Sequence, residues 1–151
     1  MDKGRFNRVK LTVETVKYEK VNNTTVCNIT FSFNAIPIVS AIMKDHHAKC
    51  VYDDNVCYKS GLEDNGCIRT FIEAKGVATC HEKDKFDKKT GRKIAYSKAF
   101  LEGYRKFHRI IDASIEALVN KHMDLSYTRD NLEAIINDEK SYLDKLRNCE
   151  K

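Results

Sequence analysis

The chain has 151 residues, 42% of them hydrophobic, enough for the core of one ordinary domain and too short for a second independent one to be expected. Charged residues make up 32% but nearly cancel, leaving a net charge of +5, well short of a non-specific nucleic-acid coat. Six glycines and one proline, Pro37, leave no flexible or polyproline linker, and no internal period is visible.

The first nine residues carry Asp2, Lys3, Arg5 and Arg8 with no apolar run behind them, which reads as no secretory signal. No stretch approaches the roughly 20 apolar residues that cross a bilayer. Both features predict a cytoplasmic protein, the host cytoplasm if the chain is phage-encoded. In a reducing compartment the six cysteines, at positions 27, 50, 57, 67, 80 and 149, are expected to be thiols.

Val9, Leu11 and Val13 alternate with Lys10, Thr12 and Glu14, predicting a half-buried strand that runs toward Tyr18. Asn22-Asn23 is its turn. The next run places Cys27, Ile29, Phe31 and Phe33 on one face and Asn28, Thr30 and Ser32 on the other, so the two segments form a hairpin whose inner face needs a cover. From Ala35 to Met43 the chain is apolar without clean periodicity, and Pro37 fits either the start of a short helix or an edge strand. His46 to Gly66 reads as a loop-rich excursion with one short strand at Val51 to Tyr58. A third strand spans Ile68 to Cys80, with Gly76 as a bulge or tight turn.

After Asp87, a plausible helix cap, the period changes. Ile94, Leu101, Tyr104, His108, Ile111, Ile115 and Leu118 form one helical stripe, and Tyr96, Phe100, Phe107 and Ile110 form another beside it. A helix from Lys88 to about His122 would be roughly 50 Å long, longer than the sheet can cover. A connection near Asp124 to Thr128 and a second helix to about Asn148, with Leu132, Ile135, Ile136, Leu143 and Leu146 facing one way, complete a helical hairpin. The expected fold is therefore α+β: one domain over residues 1–151, mainly β-sheet over 1–86, a long helix over 87–123 and a second helix over 126–148. The surplus apolar surface predicts a homo-oligomer.

No catalytic constellation emerges: there is no phosphate-cradling glycine loop, dinucleotide fingerprint or serine elbow. Cys80 and His81, adjacent on a strand, would point to opposite faces and make a poor dyad. His46, His47, Cys50 and Cys57 are soft ligand types without the paired short spacing of a zinc site, so neither a metal nor another cofactor is expected. The basic residues say more. Lys98, Arg105 and Arg109 fall within about 40° of one another around the first helix. Arg105 and Arg109, one turn apart, suit bidentate contact with phosphate, while Phe86, Tyr104 or Phe71 suits stacking on a base. Arg92 and Lys98 lie near the helix start, whose backbone N–H groups favour phosphate. A solvated face paired with Glu102, Asp112 and Glu116 explains the same charges equally well.

The segment from Gly76 to Ala95 carries the pattern Ala-x-Cys-x-x-x-Asp-x-Phe-Asp-x-x-x-Gly-x-x-x-Ala, filled by Ala78, Cys80, Asp84, Phe86, Asp87, Gly91 and Ala95. It resembles a strand–loop–helix element of small phage-encoded proteins. Among these, a sheet followed by two helices looks most like the first Thoeris anti-defence family. The resemblance covers about 20 of the residues and implies a non-enzymatic sponge that binds cyclic ADP-ribose-like or other cyclic nucleotide signals without cleaving them. It also implies assembly into dimers and hexamers through the helices, with pockets between subunits. On that reading Arg105, Arg109, Phe86, Lys98, Arg92 and Phe71 are the ligand-binding candidates. The alternative is a phage protein that binds nucleic acid, or inhibits a partner protein, through the basic face of the long helix.

Overall fold

The computed structural model describes residues 9–62, 68–81, 85 and 87–149. Phe86 lies outside the described residues. The chain divides into two compact units, Met1–Ile115 and Glu116–Lys151.

The first unit holds a four-stranded antiparallel sheet, ordered β1-β2-β4-β3. Strand β1 (Thr12–Val21) and strand β2 (Thr24–Asn34) form the expected hairpin. Asn22 takes a positive φ of 55° at the turn, a conformation asparagine tolerates better than most residues. The β1 alternation does not run straight through from Val9. The register shifts between Val13 and Thr15, so the side chains opposite Ile29 and Cys27 are Val16 and Tyr18, a parity the sequence pattern did not reveal.

Residues 36–62 depart from the expected loop. Pro37 opens helix α1 (Ile36–Ile42), where its fixed φ and missing N–H cost nothing. Helix α2 (His46–Asn55) replaces the strand expected at Val51 to Tyr58. It starts because the Asp45 carboxylate accepts the Ala48 amide at 2.8 Å, and Lys49 and Asp53 pair one turn apart at 2.6 Å. Only Ala48 and Tyr52 are buried, too few positions for a legible helical period. The Tyr52 hydroxyl joins the buried Thr70 hydroxyl at 2.9 Å. Strand β3 (Tyr58–Leu62) then pairs with the first residues of β4 (Ile68–Thr79). The region 1–86 is therefore a sheet with two short helices in it.

Helix α3 runs without a break from Lys88 to Cys149, so the helical hairpin is corrected to a single helix. The stretch Asp124 to Thr128 contains neither Gly nor Pro, and the Thr128 hydroxyl bonds back to the Asp124 carbonyl at 3.0 Å, a contact that threonine makes inside a helix.

The core lies between β2, β4 and the first part of α3. Cys27, Ile29, Phe31 and Phe33 face inward as expected, with Ile72 and Ala74 beside them. Above them lie the fully buried Ala95 and Ala99, then Gly103 and Ile110. Gly76 is a regular strand residue paired with Cys27, so the expected bulge or turn is corrected. Its bare Cα lets the α3 backbone at Ala95 and Ala99 approach where a Cβ would overlap it. Gly103 likewise makes room for the Phe31 ring, which Phe100 and Tyr104 meet edge-on at 5.9 and 6.0 Å. The stripe that meets the sheet is thus made of small residues with Phe100, Phe107 and Ile110. The stripe through Ile94, Leu101, Tyr104, Ile115 and Leu118 stays exposed.

Candidate ligand-binding groove

Strand β1 is an edge, and its inward-facing Tyr18 is only partly covered by the start of α3. The result is an open groove of about 840 Å³ lined by Tyr18, Asp87, Lys88, Lys89, Arg92, Lys93, Tyr96 and Ser97. Four of these side chains are cationic and one is acidic. The Arg92 guanidinium lies over the Tyr18 ring, 5.1 Å from its centre, where the ring face attracts a cation. Tyr96 stacks on Phe100 at 5.9 Å, and Phe100 on Tyr104 at 4.5 Å, so one groove wall is anchored to an aromatic ladder along the helix.

Tyr18 sits across the β1–β2 pairing from the buried Cys27. Desolvation pushes both groups above their ordinary pKa values, so Tyr18 stays a neutral donor and Cys27 a thiol.

Asp87 caps α3 as the sequence predicts. It accepts the Lys89 amide at 3.0 Å, the Thr90 amide at 3.2 Å and the Thr90 hydroxyl. The Thr90 hydroxyl, followed by the Lys89 amide, holds the Asp87 carboxyl below its usual pKa. The expectation that the helix start offers free N–H groups to phosphate is corrected at these two amides, because Asp87 already occupies them.

The sequence-predicted candidates scatter. Arg92 belongs to the groove. Lys98 reaches the opposite side of the helix and donates to the Val77 carbonyl at 2.9 Å, and Lys106 does the same for Glu73 at 2.7 Å. These carbonyls lie on β4 beyond the β3 pairing, so both lysines cap an otherwise open strand edge. Arg105 and Arg109 are exposed, about 20 and 25 Å along the helix from Arg92 at 1.5 Å per residue. Arg109 sits 3.5 Å from the Asn55 side-chain oxygen. Phe71 pairs with Ser32, which puts it on the sheet face away from α3, where the Arg69 guanidinium lies 5.7 Å from its ring centre. Arg69 also donates to Glu14 at 2.7 Å, and Ser32 donates to the same carboxylate.

Sequence reasoning missed Tyr18, Tyr96, Lys88, Lys89 and Lys93. Lys88, Lys89, Arg92 and Lys93 do form an i, i+4 basic cluster in the sequence, but Tyr18 joins it only through the register shift in β1.

His46 and Cys50 stand one turn apart on α2, 3.7 Å between Nε2 and Sγ, and Cys57 donates to the Phe71 carbonyl at 3.3 Å. Among the described residues no three His, Cys, Asp or Glu side chains gather closely enough to hold a metal ion, and no helix is long and apolar enough to cross a membrane. No protein-family model, curated protein or solved structure matches this chain.

Proposed function

We propose that this protein binds a small phosphorylated nucleotide in the groove between β1 and the start of α3, and holds it without cleaving it. The observation that carries the reading is the convergence of Lys88, Lys89, Arg92 and Lys93 on the aromatic rings of Tyr18 and Tyr96. Cations suit phosphate oxygens and the tyrosine rings suit a base. The volume falls in the range of small-molecule sites. On the resemblance of the Ala78 to Ala95 element, the ligand class is a cyclic ADP-ribose-like or other cyclic nucleotide signal, and the role is to sequester it in the host cytoplasm as a phage anti-defence protein.

Calorimetry with cyclic ADP-ribose and with ADP, at low and at physiological salt, tests the reading. Stoichiometric binding with modest salt dependence is expected, and recovery of the probe unchanged distinguishes a sponge from an enzyme. Failure of both probes, with tight and steeply salt-dependent binding of a single-stranded oligonucleotide, would replace it with the nucleic-acid reading, since each released counterion adds to the salt slope.

A further inference from the structure

The second unit consists of the last part of α3, and from Leu118 to Asn148 every side chain is exposed except the half-buried Ser126. A lone helix of this length gains little from propensity and takes most of its stability from packing. Its apolar residues are nevertheless ordered. From Ile115 onward, positions spaced by alternating steps of three and four hold Ile115, Leu118, Leu125, Leu132, Ile136, Leu143 and Leu146, with His122, Arg129 and Glu139 at the remaining ones. That is the seam of a two-stranded coiled coil. Leu125, Leu132, Ile136 and Leu143 are 45–62% exposed, so the seam faces solvent in a single chain.

His122 and two charged residues interrupt the seam, and the charged pair identifies the partner and its direction. Arg129 stands at an a position and Glu139 at a d position. In a parallel pair of identical helices each would face its own copy, arginine on arginine and glutamate on glutamate. In an antiparallel pair an a position faces a d position. The two-fold axis at residue 134 then sets Arg129 opposite Glu139 of the second copy, twice. The same register sets Leu132 opposite Ile136 and Leu125 opposite Leu143, on either side of the Arg129–Glu139 layer, and His122 opposite Leu146. Among the described residues of one chain, Arg129 pairs with its exposed neighbour Asp130, at 3.1 Å, a contact weak enough to exchange.

We infer that residues 119–149 pair with the same segment of a second copy as an antiparallel coiled coil, in the register that matches Arg129 with Glu139. The seam is about 45 Å long. The pairing is independent of the nucleotide reading, since none of its residues lines the groove.

The test uses the full chain in analytical ultracentrifugation at micromolar concentration. The wild type is expected to sediment as a dimer or a multiple of one. Arg129→Glu and Glu139→Arg each set like charges face to face twice and weaken self-association by roughly 10- to 100-fold. The double variant Arg129→Glu/Glu139→Arg restores the pair in the antiparallel register and leaves like charges facing in the parallel one. Circular dichroism of the variants confirms that the first unit stays folded, since neither residue touches its core. A monomeric wild type overturns the inference. So does a dimer insensitive to the single reversals, or one that the double reversal fails to restore.

Discussion

A Cβ placed on Gly76 would overlap the carbonyl oxygen of Ala95: the strand and the helix are in backbone contact. This relationship reverses the usual sign of a glycine substitution. In an open strand, replacing glycine by alanine gains roughly 0.5–1 kcal/mol from the smaller entropy loss on folding. At Gly76 the obstacle is helix backbone, which no side-chain rotation can clear. Gly76→Ala is therefore expected to destabilise the fold by about 1–3 kcal/mol, as overpacking does, read as a lower urea midpoint at unchanged slope.

Gly103 meets a side chain, and this predicts a rescue. Helix propensity favours Gly103→Ala by about 1 kcal/mol, but the new methyl would strike the buried Phe31 ring. The single change should be net destabilising, less so than Gly76→Ala because the ring can shift. Shortening the ring by Phe31→Leu removes the obstacle. The double variant should lose less stability than the two singles together, by about 0.5–3 kcal/mol of coupling. Additive losses in denaturant titrations would refute the contact.

The parts of the fold legible in the sequence are those specified by local chemistry. The Asn22-Asn23 turn, the inward run from Cys27 to Phe33 and the Asp87 cap need only neighbouring residues. The register shift in β1 depends on pairing across the sheet and leaves no mark in the alternation. Helix α2 was missed because only Ala48 and Tyr52 are buried on it. The two-helix hairpin was expected because polar residues from Asp124 to Thr128 resemble a connection, yet none of them breaks a helix. Of the site, Arg92 was legible as a cation near the start of α3. Tyr18 was not, since 74 residues separate it from Arg92 and only the sheet edge brings them together.

Asp87 makes the start of α3 sensitive to acid. Its folded pKa is depressed by the Thr90 hydroxyl and the Lys89 amide, so its contribution is fully present above the ordinary aspartate pKa of about 3.9. It is lost as pH falls through the lower folded value. The amide resonances of Lys89 and Thr90 should hold steady from neutral pH down to about 4 and move only below it. Glu14, depressed by Ser32 and Arg69, titrates in a similar window, so the discriminating variant is Asp87→Asn. It retains a good capping side chain and should abolish the acid-dependent movement at both amides. Persistence of that movement in Asp87→Asn would assign it to another group.

The binding prediction separates the groove from the rest of the basic helix face. Arg92 combines a free-facing guanidinium with the ring of Tyr18 beneath it, and a charge-assisted phosphate contact is worth about 1.5–3 kcal/mol. Arg92→Ala should therefore weaken nucleotide binding by roughly 10- to 150-fold. Tyr18→Ala, which removes a stacking wall, should cost about 1–3 kcal/mol of affinity. Asp87→Asn removes a negative charge from the groove lining and should strengthen binding. Arg105→Ala and Arg109→Ala lie about 20 Å or more from Arg92 and should leave the affinity of one groove unchanged. Calorimetry on the five variants with one nucleotide reads all of these at once. If Arg109→Ala weakens binding as much as Arg92→Ala does, the ligand spans more than this groove and a second chain must complete the site. If neither matters, the cations around Tyr18 and Tyr96 are a solvated surface.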